Sequence, residues 1–103
     1  MNDDCEANFE AFLKKPECLV MFHKKHCPNC KVMETVLAKL QKQIPSLKVL
    51  KIDSERNVAL LERLEGARVP SLFVFKNGQK VGMKVGVCSP MELEQFYYNS
   101  LSN

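Results

Sequence analysis

The sequence lacks any apolar run long enough to cross a membrane. Its longest run, Cys18 to Phe22, is far short of the roughly 20 residues that a bilayer-spanning helix needs. The first residues, Met1 to Glu10, are acidic and do not resemble the Lys/Arg-led start of a secretory signal. We therefore expect neither an anchor nor an export signal, and we predict a cytoplasmic protein with no membrane partner.

Linkers, repeats and basic stripes are also missing. The chain shows no Gly/Ser-rich stretch, no low-complexity tract and no repeat at a fixed period. The net charge of +3 is mild and the lysines do not alternate with aromatic residues, so we expect no nucleic-acid partner. With 103 residues, of which 46% are hydrophobic, the chain can bury one core. The prediction is a single monomeric domain over residues 1–103.

Cysteine is present in an odd number, five residues in all. In a reducing compartment, a Cys-x-x-Cys pair such as Cys27 and Cys30 indicates redox catalysis or metal binding more than a structural disulfide. Cys18 opens the apolar run and is predicted to lie in the core, whereas Cys5 lies near the N-terminus. Cys88 falls in a predicted loop near the expected substrate surface, where it is a candidate for redox regulation.

Apolar spacing and turn signals predict an α/β chain with the element order αβαβαββα. The unbroken apolar run is typical of a strand that is covered on both faces of a mostly parallel sheet. Asn77-Gly78 predicts a hairpin, Ser89 and Glu92 predict a capping box, and Asn57 is predicted to cap the third helix. The predicted strands span 18–22, 47–52, 71–76 and 79–85, and the helices span about 6–14, 28–44, 58–65 and 90–101.

Two helices are predicted to be amphipathic from the spacing of their apolar residues. The second helix carries these residues at four-residue steps, and two further apolar positions widen the stripe. The stripe consists of Val32, Val36, Leu40 and Ile44, widened by Met33 and Leu37. The third helix is predicted to bury Val58, Leu61 and Leu64.

The Cys-x-x-Cys motif stands where the first strand leads into the second helix. Backbone N–H groups and the helix dipole favour an anion at such a helix start, so Cys27 is predicted to be the nucleophilic thiolate. Pro28 suits the first helical turn. The residues around the motif also favour a thiolate at Cys27, because several are basic and no carboxylate lies between His23 and Met33. The basic neighbours are Lys24, Lys25, His26 and Lys31.

Cys30 lies one helical turn further on and is predicted to be the more buried of the two cysteines. It would attack the mixed disulfide that Cys27 forms with a substrate, which makes it the resolving cysteine. Two alternatives remain open. The pair could be structural and buried, or His23 and His26 could join the two cysteines at a metal, although adjacent His26 and Cys27 are awkward joint ligands.

The motif and its companions resemble the thioredoxin family. The resemblance runs from about Phe9 to Leu101, and an ordered set of motifs at the family's spacing carries it. The set is Cys27-Pro-Asn-Cys30, Val69-Pro70, Lys76-Asn77-Gly78 and Gly86. The resemblance implies a thioredoxin fold, with a mixed sheet of four or five strands flanked by four helices. It also implies a thiol-disulfide oxidoreductase that acts on protein disulfides.

The resemblance further implies site residues, partners and cofactor use. Pro70 would be cis and lie beside the two sulfurs, and the backbone of Val69 would pair with an extended substrate segment. The remaining substrate-binding residues would be Arg68, Pro28, Asn29 and Gly86. Thioredoxin reductase or the glutathione system would supply electrons, and no cofactor would be bound apart from the redox-active Cys27–Cys30 disulfide.

The chain departs from the family pattern in two ways. The usual Trp-Cys-Gly-Pro-Cys becomes His26-Cys-Pro-Asn-Cys30, and the chain contains no tryptophan. The family's buried Asp is Met21 here, and the Lys that accompanies this Asp is Val49. Our hypothesis is that water, His26 or His23 accepts the proton of Cys30, since histidine titrates nearest to neutral pH.

Two other functions remain open at the level of sequence. A glutaredoxin-like enzyme would use glutathione, whose carboxylates Lys24, Lys25 and Arg68 could hold. Against this reading, the glycine-rich acidic segment that glutaredoxins carry after the hairpin is absent. A redox-sensing or adaptor module would change a partner interface on oxidation of Cys27 and Cys30, without turnover.

Overall fold

The computed structural model describes residues 6–66 and 68–102. It contains four helices and four strands in the predicted order αβαβαββα. The helices are α1 (Glu6–Phe12), α2 (Pro28–Gln43), α3 (Val58–Arg63) and α4 (Pro90–Leu101). The strands are β1 (Glu17–His23), β2 (Val49–Asp53), β3 (Ser71–Lys76) and β4 (Gln79–Val85). No helix among these residues is long and apolar enough to span a membrane.

The described strands form one mixed sheet in the order β2-β1-β3-β4. Strand β1 pairs parallel with β2 and antiparallel with β3, and β3 pairs antiparallel with β4. Four strands were predicted, with a possible fifth near the N-terminus. Residues 1–5 lie outside the described residues, so that fifth strand stays a prediction.

Strand β1 is central, and both of its faces are covered. Cys18 through Phe22 have 0% exposure, as expected for an unbroken apolar run. Leu19 and Met21 face an apolar cluster that they share with α2 and α4. Cys18, Val20 and Phe22 face a second cluster on the other side, which includes Phe9 of α1. The C-terminal end of β1 is therefore held firmly from two sides where it leads to the Cys-x-x-Cys motif.

Two predicted helix faces were wrong at one position each. Val32 is 46% exposed and Val58 is 54% exposed. The other predicted positions Met33, Val36, Leu37 and Leu40 are buried, as expected. Residues at four-residue steps drift around a helix that has 3.6 residues per turn, so the end of such a stripe leaves the core. Leu60 takes a buried position in α3.

The helix starts agree only in part with the predicted caps. Ser89 Oγ accepts from Glu92 N–H at 3.1 Å and Glu92 Oε1 accepts from Ser89 N–H at 2.9 Å, which confirms the capping box. Asn57 occupies the N-cap position of α3, but its side chain makes no capping bond. Its Nδ2 donates instead to Asp53 O at 2.9 Å, which ties α3 to the end of β2.

Gly82 allows α4 to pack closely on β4. A Cβ atom at this position would lie 2.8 Å from Ser100 Cβ and 3.3 Å from a ring carbon of Phe96, and it would also clash with Ser100 Oγ. These distances leave no room for a side chain unless α4 shifts.

We expect Gly82→Ala to lower the free energy of unfolding by about 1–3 kcal/mol, because the extra carbon overpacks the contact between α4 and β4. Urea denaturation monitored by circular dichroism measures this change. As a control, Ser100→Gly should cost about 1 kcal/mol alone, as a helical glycine does, but less in the Gly82→Ala background. Wild-type stability of Gly82→Ala would contradict the packing described for this contact.

Candidate active site

The first cysteine of the motif is the N-cap residue of α2, as predicted. Its backbone is extended, with φ −119° and ψ 99°, and Pro28 follows in the first helical turn. Cys27 Sγ accepts from the backbone N–H of Cys30 at 3.3 Å. The same N–H also donates to Cys27 O at 3.1 Å, so it is shared between the carbonyl and the sulfur. A thiolate gains more from such a bond than a neutral thiol does.

His26 turns the chain into the helix. Its φ is +56°, in the left-handed region that non-glycine residues adopt only at a cost. Its side chain is exposed. Together with Cys27, Pro28 and Lys31 it lines a pocket of about 330 Å³. The predicted nucleophile therefore borders a pocket that a substrate can enter.

Cys30 is the more buried cysteine, with 2% exposure against 7% for Cys27. Burial is the main factor that raises the pKa of the Cys30 thiol to about 11, and a hydrogen bond with the Cys27 side chain adds to this effect. Both thiols are free, so the structure is that of the dithiol form. At neutral pH, Cys30 stays protonated and must lose its proton before it can attack.

Glu34 lies near this site and was not assigned a role from the sequence. Its Oε1 accepts from Lys51 Nζ at 2.8 Å, which links α2 to β2. Its negative charge is one of the factors that raise the pKa of Cys30. Its role could have been predicted from its spacing, because a residue four positions after Cys30 lies on the same face of a helix. Met21, at the position of the family's buried Asp, lies in the apolar cluster.

The Val69-Pro70 peptide bond is cis, as the family resemblance implied. The N–H of Gly86 donates to Pro70 O at 2.9 Å, and Gly86 itself has φ +91°. This bond joins the segment before β3 to the residue after β4. Val69 is half-buried, and Arg68 is exposed beside it.

The other predicted substrate-contacting residues lie at the start of α2. Pro28 and Asn29 are both exposed. The described pocket is lined by Pro28 with His26, Cys27 and Lys31.

The remaining described cysteines are buried. Cys18 is 0% exposed, as predicted for a core residue. Cys88 lies in the loop after Gly86, as predicted, but its side chain is 6% exposed and belongs to the apolar cluster of α2 and α4. Its N–H donates to Met33 Sδ at 3.4 Å, and burial raises the pKa of its thiol. These features disfavour oxidation of Cys88. Cys5 lies outside the described residues.

The metal alternative gains no support from side-chain placement. Across residues 6–66 and 68–102, no three His, Cys, Asp or Glu side chains are grouped so that they could hold a metal ion. His23, His26, Cys27 and Cys30 all belong to that part of the chain.

Comparison with known proteins places the chain in a family. The thioredoxin family model matches residues 2–99. The thioredoxin of Chlamydia pneumoniae is 30% identical over 80 residues, 78% of either chain. Human glutaredoxin-3 is 32% identical over 85 residues, which are 80% of this chain and 25% of that protein.

Solved structures agree with this assignment. Reduced desulfothioredoxin from Desulfovibrio vulgaris Hildenborough is 33% identical with a TM-score of 0.81, and the match covers 87% of this chain and 86% of that one. Oxidised mitochondrial thioredoxin 3 of Saccharomyces cerevisiae shares the fold, with a TM-score of 0.82 at 24% identity and coverage of 91% and 89%. The chain belongs to the thioredoxin family, and it is a thiol-disulfide oxidoreductase with a Cys-x-x-Cys pair.

We expect Cys30 to react with iodoacetamide as a thiol of high pKa even when Cys27 is replaced by Ser. Burial is the largest cause of the shift and remains in that variant, so the alkylation midpoint should lie above the ordinary value of 9.0. Mass spectrometry of the Cys30 peptide across a pH series gives the midpoint. The same variant in guanidinium is the control and should titrate near the ordinary value. A midpoint at or below 9.0 in the folded variant would contradict this account.

Proposed function

We propose that this protein reduces disulfides in other proteins, with Cys27 as the nucleophile and Cys30 as the resolving cysteine. The Cys27 thiolate attacks one sulfur of the substrate disulfide, so that a mixed disulfide forms and the other substrate sulfur leaves as a thiolate that takes up a proton. Cys30 then loses its proton and attacks Cys27 Sγ. The second substrate sulfur leaves, the Cys27–Cys30 disulfide remains, and two electrons have passed to the substrate.

The hydrogen bond from the N–H of Cys30 to Cys27 Sγ is the observation that carries this proposal. It gives the outer sulfur a fixed donor at the start of a 16-residue helix, and the inner sulfur stays buried and protonated. The two cysteines therefore differ in the way the reaction requires. The outer one has a hydrogen-bond donor and borders a pocket, and the inner one is buried with a raised pKa.

We place the substrate along the segment before β3. The backbone of Val69 would pair with an extended substrate segment, with Arg68 beside it, and Pro70 would lie next to the sulfurs. The Gly86–Pro70 hydrogen bond supports this arrangement, because it holds the segment against the end of β4. Pro28, Asn29 and Gly86 would complete the surface.

The proposed electron donor is thioredoxin reductase, and the proposed location is the cytoplasm. The protein would act without a bound cofactor, through its own dithiol. Glutathione is the alternative donor, since Lys24 and Lys25 are exposed beside the site and could hold its carboxylates.

Insulin reduction tests the proposed function. We expect turnover with thioredoxin reductase as donor, and we expect Cys27→Ser to abolish it, because Cys27 alone among the described cysteines is both a helix N-cap and a lining residue of the described pocket. Cys88→Ala is the matched control, since it removes a thiol that lies outside the site, and it should retain turnover. Turnover with glutathione and its reductase alone would favour the alternative donor. Absence of turnover with either donor would favour a sensor or adaptor.

A second prediction concerns the proton of Cys30. We propose that His26 or His23 accepts it, directly or through water. If so, His26→Asn or His23→Asn should change the pH dependence of the step in which Cys30 releases the substrate. Asparagine suits position 26 because it tolerates the left-handed backbone there. Stopped-flow release of a thiol from a preformed mixed disulfide at Cys27 measures this step. A wild-type pH profile in both variants would refute the role of histidine.

A further inference from the structure

The loop around Cys27 is positively charged. Residues 23–33 include Lys24, Lys25 and Lys31 but no Asp or Glu. The whole chain has 15 Lys and Arg residues against 12 Asp and Glu residues, a formal net charge of +3.

All three lysines are available to a partner. Each is exposed, and none forms an ion pair with an acidic residue in the described part of the chain. Several described acids elsewhere are already engaged with basic side chains. The engaged pairs are Glu34 with Lys51, Glu10 with Arg63, and Glu65 with Lys80.

Lys31 brings this charge to the nucleophile itself. Its side chain lines the 330 Å³ pocket together with Cys27, and its backbone N–H donates to Cys27 O at 3.3 Å. A residue that flanks the disulfide of a substrate comes close to this pocket when the substrate sulfur reaches Cys27. Exposed charges interact over about one Debye length, about 8 Å at physiological ionic strength, so a flanking charge that reaches this pocket interacts with Lys31.

We propose that this protein prefers polypeptide disulfides flanked by acidic residues, and that Lys24, Lys25 and Lys31 select them. The inference rests on the proposed function, because it concerns which disulfide Cys27 attacks. The chemistry is unchanged. The reduced protein gives two electrons to the peptide disulfide, ends as the Cys27–Cys30 disulfide, and releases two peptide thiols. The lysines raise the rate of productive encounter with an acidic partner and lower it for a basic one.

Single-turnover reduction of matched peptides tests the proposal. Three peptides carry the same disulfide and differ only in flanking Glu, Gln or Lys residues, and the full-length reduced protein is the only reductant. We expect the acidic peptide to react at least about tenfold faster than the basic one at low ionic strength. The ratio should fall towards one as salt is raised. Equal rates for the three peptides would overturn the proposal.

Matched charge variants locate the effect. Lys24→Gln, Lys25→Gln and Lys31→Gln combined should remove most of the acidic preference. The control combines Lys39→Gln, Lys42→Gln and Lys48→Gln, which remove the same charge from exposed positions beyond the first turns of α2. The control should keep the preference. An equal loss in both variants would assign the effect to overall charge and overturn the role of the loop.

Two further substrates separate this proposal from the proposed function. Hydroxyethyl disulfide is small and neutral, and it should react with wild type and with the Lys39, Lys42 and Lys48 control variant but not with Cys27→Ser. Failure of wild type on this substrate would refute the proposed function, whereas a normal rate with no peptide preference would refute only the lysine proposal. Glutathione disulfide is a small anion, and a rate above that of the acidic peptide would overturn the assignment to polypeptides.

Discussion

The hydrogen bond between the N–H of Cys30 and Cys27 Sγ sets the chemistry of this protein. It exists because Cys27 is the N-cap residue of α2, where the backbone is extended and the first helical N–H groups need acceptors. One backbone geometry thus places two cysteines three residues apart in different environments. The outer sulfur meets donors and a pocket, and the inner sulfur meets the apolar core.

The rest of the fold holds that geometry in place. Residues 18–22 of β1 are buried between two apolar clusters, and the strand ends at His23, just before the loop that leads to Cys27. α2 packs its buried face on the same cluster as Met21. Met21 stands where the family carries a buried acid, so apolar packing replaces a charged pair here. The acidic residue of α2 is Glu34, and its Oε1 lies 2.8 Å from Lys51 Nζ.

Much of this arrangement could be predicted because it depends on local signals. An unbroken apolar run, a Cys-Pro-x-Cys helix start, an Asn-Gly turn and a Ser-x-x-Glu box act over a few residues, and each one gave the observed element. The cis bond at Pro70 followed from the family resemblance. Local signals did not show that Cys88 is buried, because its contact with Met33 joins residues far apart in sequence. Asn57 failed as a cap although its signal is local, and its side chain donates instead to Asp53 O, four residues earlier.

The central claim is that Cys27 is the reactive cysteine among the four that the structure describes. Competitive labelling tests it most directly: the reduced protein receives less than one equivalent of iodoacetamide near neutral pH, and peptide mapping counts the label on each of the five cysteines. The account predicts that nearly all the label is on Cys27 and that little is on Cys30, Cys18 or Cys88. Preferential labelling of Cys30, or equal labelling of Cys27 and Cys30, would contradict it.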